Sequence, residues 1–87
     1  MEILDNDTAK EFNELSEAAR RDILVFIGID QSFDEVAKEY PGKSHAEILD
    51  ITIATSAISD ELCKHVRRRV YLKVLEDVRQ KLSSSPM

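Results

Sequence analysis

The chain has 87 residues, a formal net charge of −5, 43% hydrophobic and 33% charged residues, and one cysteine, Cys63. A chain this size supports one small domain that buries roughly 60–65% of its unfolded surface, with little room for a deep catalytic cleft beside the core. No apolar run approaches the ~20 residues of a transmembrane helix, the opening MEILDNDTAKEF lacks the basic-then-apolar order of a signal peptide, and a lone cysteine excludes an internal disulfide.

Cys63 reads as a small, partly buried helical residue, and the expected setting is an intracellular, reducing compartment. The charge is unevenly spread. Residues 1–61 hold five Lys/Arg against fifteen Asp/Glu, and residues 62–87 hold seven against two. That polarity implies two faces with different partners, or a basic helix lying against its own acidic body.

Two glycines and two prolines leave few breaks, which favours helices. Residues 1–7 are acidic and read as a flexible N-terminus. Thr8-x-x-Glu11 has the spacing of a capping box and opens either a short helix over 8–14 or a continuous helix over 8–27. In the shorter version Ser16 caps the next helix, with Glu17 at the positive end of its dipole. Ile23, Leu24 and Ile27 share one face, with Phe26 at its edge, and Gly28 suits the C′ position.

Residues 29–32 read as a loop, and Ser32-x-x-Glu35 as the start of a helix over 33–39. Phe33, Val36, Ala37 and Tyr40 would point inward. Pro41-Gly42-Lys43 makes a turn: proline disfavours a helical Tyr40, and Gly42 permits a positive φ. Ser44-x-x-Glu47 then opens a third core helix over 45–56. Its apolar residues lie nearly all round, which implies burial on more than one side. Ser59 caps a long helix over about 60–82, a rod of roughly 33 Å. Its stripe is Leu62, Val66, Val70, Val74, Val78 and Leu82. Residues 83–87 read as a flexible tail, and residues 8–58 as the bundle that the long helix packs on or extends from. The expected fold is all-α: a three-helix, helix-turn-helix bundle with a long additional C-terminal helix.

Residues 15–52 resemble the Myb/SANT family of three-helix domains. The family spaces three bulky residues, usually Trp, about 18–19 positions apart, and here Leu15, Phe33 and Ile51 or Thr52 stand at those intervals. Val36-Ala37-Lys38-Glu39-Tyr40-Pro41-Gly42-Lys43-Ser44 follows the family's second helix and turn, and Glu47-Ile48 follows its third-helix opening. The chain departs from the pattern in having no tryptophan and in carrying the fourth helix. The resemblance implies a nuclear, chromatin- or transcription-related role, with either DNA or protein as the partner.

Charge bears on that choice. The helix SHAEILDITIATS offers Glu47 and Asp50 and no Lys or Arg after Lys43, so it repels phosphates, and few residues beyond His45 and Thr52 could read base edges. SANT-type members with acidic or apolar third helices act on proteins, so the resemblance favours a non-catalytic interaction module. Its expected docking residues are Ile48, Ile51 and Ile53 of the third helix, with Tyr71, Leu72 and Leu75 of the long helix. A protein partner or homodimer is expected, without membrane or small-molecule binding. The candidates for contact with nucleic acid or an acidic partner are Lys43, Lys64, Arg67, Arg68 and Arg69. Lys64, Arg68 and His65 can share one patch; a solvated face paired to Asp60 or Glu61 is the plainer reading. Two alternatives stand: a small DNA-binding regulator that dimerises through residues 60–82, and an acidic inhibitor that mimics nucleic acid.

Nothing points to catalysis, a cofactor or a metal. His45 and His65 have no zinc-site spacing, Asp5 and Asp7 lack the rest of a calcium loop, and there is no phosphate-binding glycine motif.

Overall fold

The computed structural model describes residues 3–83. They form five α-helices: α1 (Asn6–Glu14), α2 (Glu17–Ile27), α3 (Asp30–Glu39), α4 (His45–Ala54) and α5 (Ser59–Ser83), with no strand among the described residues. The all-α expectation therefore holds, but four helices rather than three precede the long one.

Local chemistry sets most of the helix ends. Asp5, not Thr8, caps α1: its carboxylate accepts the Thr8 backbone N–H at 3.2 Å and the Thr8 hydroxyl at 2.7 Å. Thr8 thus lies inside the helix and is buried. The chain breaks at Leu15 and Ser16, both extended, so the continuous helix over 8–27 does not form. Ser16 does cap α2, accepting from the Ala19 N–H at 3.2 Å. Arg20 turns back to donate to the carbonyls of Asn13 and Leu15, which the end of α1 leaves without helical partners. Gly28 ends α2 at φ +90°.

The expected loop over 29–32 is absent. α3 starts at Asp30, Ile29 occupies the cap position without a side-chain hydrogen bond, and Ser32 is helical. Burial explains this: Ile27 and Ile29 both pack on the core, so the connection tightens to bring them there. Gly42 turns the chain at φ +95°. The Ser44–Glu47 capping box forms in full, with Glu47 N–H to Ser44 Oγ at 3.2 Å and Ser44 N–H to Glu47 Oε1 at 3.1 Å. Asn13 Oδ1 satisfies the Ala46 N–H at 2.9 Å, so α1 also holds the start of α4. α4 ends at Ala54, two residues earlier than expected. α5 starts at Ser59 itself, with the Leu62 N–H bonded to the Ile58 carbonyl; Ser59 is its first residue, not its cap.

α4 packs against α1, α3 and α5, as an all-round apolar helix must. α5 also runs beside α1 and α2, and α3 closes the side formed by α2 and α4. The fully buried side chains are Phe12, Ile23, Leu24, Leu49, Ile53, Val66 and Val70. Phe12 and Phe33 meet edge to face, with centroids 6.4 Å apart at 68°. Of the positions spaced like the family's tryptophans, Phe33 and Thr52 are buried, while Leu15 and Ile51 are half-buried.

Part of the segment read as a flexible N-terminus is docked. Leu4 is buried, and the Asp50 carboxylate accepts the backbone N–H groups of Ile3 (3.1 Å) and Leu4 (2.8 Å). The tail expectation lies outside the described residues from position 84 onward, and Ser83 is helical. The six-residue stripe also needs correction. Leu62, Val66 and Val70 are buried and Val74 packs against the core, but Val78 and Leu82 are exposed.

Candidate functional site

At about 100° per residue, a step of four overshoots one turn by about 40°. A stripe at steps of four therefore winds around α5 by about 200° between Leu62 and Leu82 and cannot stay on one bundle. The structure resolves this winding into two faces. The first half of α5 points Leu62, Val66 and Val70 inward. In the second half Val74 packs against the core, and Lys73, Asp77 and Gln80 line a depression with Leu15, Ser16 and Ala19 at the α1–α2 junction. Lys73 pairs there with Asp22 at 3.2 Å and with Glu76 at 3.9 Å.

Four other apolar residues of that second half lie on the side opposite Lys73, Asp77 and Gln80. Tyr71, Leu75, Val78 and Leu82 recur at steps of four, three and four, which hold one direction on a helix within a narrow arc. Tyr71 is 59% exposed, Val78 46% and Leu82 73%, and Leu75 is half-buried. The same arc extends back through Arg68 and Lys64, both exposed. The outer face of α5 thus follows the acidic first turn (Asp60, Glu61) with Lys64 and Arg68 and is apolar along its remainder.

A second exposed cluster adjoins it. Phe26 is 69% exposed, and the Arg69 guanidinium carbon sits 3.3 Å from its ring centroid. Ile23, Leu24 and Ile27 take the core-facing arc of α2, which leaves Phe26 about 100° to one side and Val25 on the far side. Phe26, Ile27, His65, Arg68, Arg69 and Leu72 line a shallow depression that contains no carboxylate.

The expected docking residues divide. Ile48 and Ile53 are buried and Ile51 is half-buried, so no apolar groove opens on α4. Their burial follows from α4 sitting between three other helices, which is the burial its composition already implied. Tyr71, Leu72 and Leu75 do fall on accessible faces of α5. Tyr40, read as inward-pointing, is 40% exposed, because the turn before Pro41 carries it off the α3 core face. Val78 and Leu82, read as members of the six-residue stripe, complete the outer apolar face. The signal for them was in the chain: the four-three-four spacing from Tyr71 to Leu82 competes with the four-four-four stripe, and only the first keeps one direction.

The cations divide too. Lys43 pairs with Glu47 at 3.8 Å and Arg67 with Asp5 at 3.3 Å. Lys64, Arg68 and Arg69 form no ion pair among the described residues, so the pairing to Asp60 or Glu61 is not made. Asp7 and Glu11 of α1 share a depression with Lys64 and Arg68 without reaching either. The Thr8 hydroxyl holds the Asp5 carboxyl below its ordinary pKa, with the Thr8 N–H and Arg67 acting in the same direction. Thr52 is buried and donates to the Ile48 carbonyl at 2.8 Å, which removes it as a reader of bases. His45 is exposed at the start of α4.

Cys63 is buried, with its Sγ 3.6 Å from the Ile3 carbonyl. Among the described residues no three His, Cys, Asp or Glu side chains come together in a way that could hold a metal ion, and no helix is long and apolar enough to cross a membrane. No family model, curated protein or solved structure matches this chain.

Proposed function

We propose that this chain is a non-catalytic protein-interaction module that docks a helix of a partner protein along the outer face of α5. One observation carries the reading: Tyr71, Val78 and Leu82 share one arc of α5 and are exposed, while Lys73, Asp77 and Gln80 of the opposite arc line the depression at the α1–α2 junction. A helix that served only to close its own core would show the reverse arrangement. Burial of an apolar side chain of this size is worth roughly 1.5–3 kcal/mol, so a partner that covers four of them has a real driving force. Helix-on-helix docking with anchors at these spacings is a common recognition mode.

The placement in a chromatin or transcription complex, with a nuclear location, belongs to this reading through the Myb/SANT resemblance of residues 15–52. Its support is the α3–turn–α4 segment, where Gly42 has a positive φ and Ser44–Glu47 caps the following helix. Docking through α4, part of the original expectation, is withdrawn because Ile48 and Ile53 are buried. The DNA-regulator reading is less well supported. Glu47 and Asp50 occupy α4, and Lys43 and Arg67 are already paired to carboxylates.

The test selects binders from a displayed library of helical peptides and measures them against wild-type protein and Leu75→Asp. The reading expects binders that Leu75→Asp abolishes, and no retention of a short DNA duplex at low salt. Binders indifferent to Leu75→Asp, or a salt-sensitive duplex complex, would overturn it.

A further inference from the structure

The outer face of α5 is not uniform, and its asymmetry specifies the partner. We infer that it takes a helix bearing an apolar seam with carboxylates clustered at one end, where they meet Lys64 and Arg68. This rests on the docking reading above and adds the partner's charge and polarity to it.

The argument starts from the face itself. Lys64, Arg68, Tyr71, Leu75, Val78 and Leu82 follow one another at alternating steps of four and three, the spacing of a two-helix seam. From Lys64 to Leu82, 19 residues, such a seam runs about 27 Å. The apolar two-thirds would accept leucine-type side chains. The basic third cannot be covered by an apolar residue without leaving a cation desolvated and unpaired, which is costly. A carboxylate-bearing end supplies the counter-charge that an apolar end lacks.

A second copy of this chain fits less well. In a parallel pair, Lys64 and Arg68 would each face their own like charge. In an antiparallel pair, the apolar residues could meet in register only over Tyr71–Leu82, an overlap of about 18 Å. That overlap leaves both cations outside it and is short for a stable coiled coil. The carboxylate-free depression formed by Phe26, His65, Arg68, Arg69 and Leu72 adds positive potential beside the same end. Asp7 and Glu11 lie on the α1 side of Lys64 and Arg68, so the acidic end approaches over the α2 side.

The experiment uses the full chain and three synthetic 21-residue amphipathic helices with the same leucine seam. The first carries four Glu at the end that meets Lys64 and Arg68, the second carries four Lys there, and the third is neutral. Binding is followed by calorimetry and by amide shifts along α5 at low and high salt. The acidic peptide should bind about tenfold tighter than the basic one at low salt, and the difference should shrink at high salt. The Lys64→Glu/Arg68→Glu variant should reverse the preference. Both proteins should lose all three peptides when Leu82→Asp is added.

Equal binding of all three peptides, lost with Leu82→Asp, would overturn the acidic end and leave the docking face standing. A dimer that dissociates with Leu82→Asp and binds no peptide would overturn the partner in favour of a second copy. A monomer that binds none of them would overturn both. Because Val78 and Leu82 are exposed, the thermal midpoint of each variant serves as the check that folding is unchanged.

Discussion

The Oδ1 of Asp50 accepts the Leu4 backbone N–H at 2.8 Å, across 46 residues of chain. The same oxygen takes the Ile3 N–H, and the Leu4 side chain is buried beside it. A carboxylate on α4 thus holds the segment that leads into α1. Asp50→Ala should lower stability by about 2 kcal/mol, since both bonds are charge-assisted. Urea denaturation reads the loss, and exchange of the Ile3 and Leu4 amides localises it. Amide exchange as slow as in the wild type would show that the clasp does not hold this segment.

Gly28 and its surroundings separate a backbone effect from a packing effect. Its φ is +90°, yet nothing lies within 4 Å of where a Cβ would stand. Gly28→Ala should therefore cost about 1–2 kcal/mol through backbone strain alone, and Gly28→Asn less. Equal stability of the alanine variant and wild type would show that the end of α2 relaxes to another conformation.

Two carboxyls are held below their ordinary pKa values in the folded chain. Asp5 is lowered chiefly by the Thr8 hydroxyl, and Glu47 chiefly by the Ser44 backbone N–H. A depressed folded pKa stabilises above the unfolded value and is lost as pH falls through the folded one. Stability should thus fall below about pH 4, where free Asp and Glu titrate. The Asp5→Asn/Glu47→Gln variant should show a shallower fall over that range. A parallel curve would place the acid sensitivity elsewhere.

Phe12 and Phe26 are the same residue in opposite settings. Phe12 is fully buried and meets Phe33 edge to face, so Phe12→Ala should cost about 3–5 kcal/mol. Phe26 is exposed and its recorded aromatic contact is Arg69, so Phe26→Ala should cost no more than about 1 kcal/mol. Thermal unfolding of the pair checks both values. A large loss at Phe26 would mean that its ring packs more deeply than its exposure shows.

Much of the fold was legible because it rests on local chemistry. Ser16, Gly28, Gly42 and the Ser44–Glu47 box act within four residues of themselves, and each marks a helix end where its residue type predicts one. The all-α class followed from the same signals and from the few glycines and prolines. The nearly all-round apolar pattern of α4 correctly implied burial on several sides, which in turn ruled out Ile48 and Ile53 as docking residues.

Other features depended on distant partners. The α1 cap was read at Thr8, but Asp5 takes it, and Arg67, 62 residues away, pairs with that carboxylate. The docked N-terminal segment needed Asp50, which no local pattern connects to Leu4. The direction of α5's apolar residues was hardest to read, because two spacings coexist in it and only the four-three-four one keeps a single direction. Periodicity says which residues share a face; it does not say which face meets the core. Packing against α1, α2 and α4 decided that, turning Leu62, Val66 and Val70 inward and leaving Tyr71, Val78 and Leu82 exposed and Leu75 half-buried.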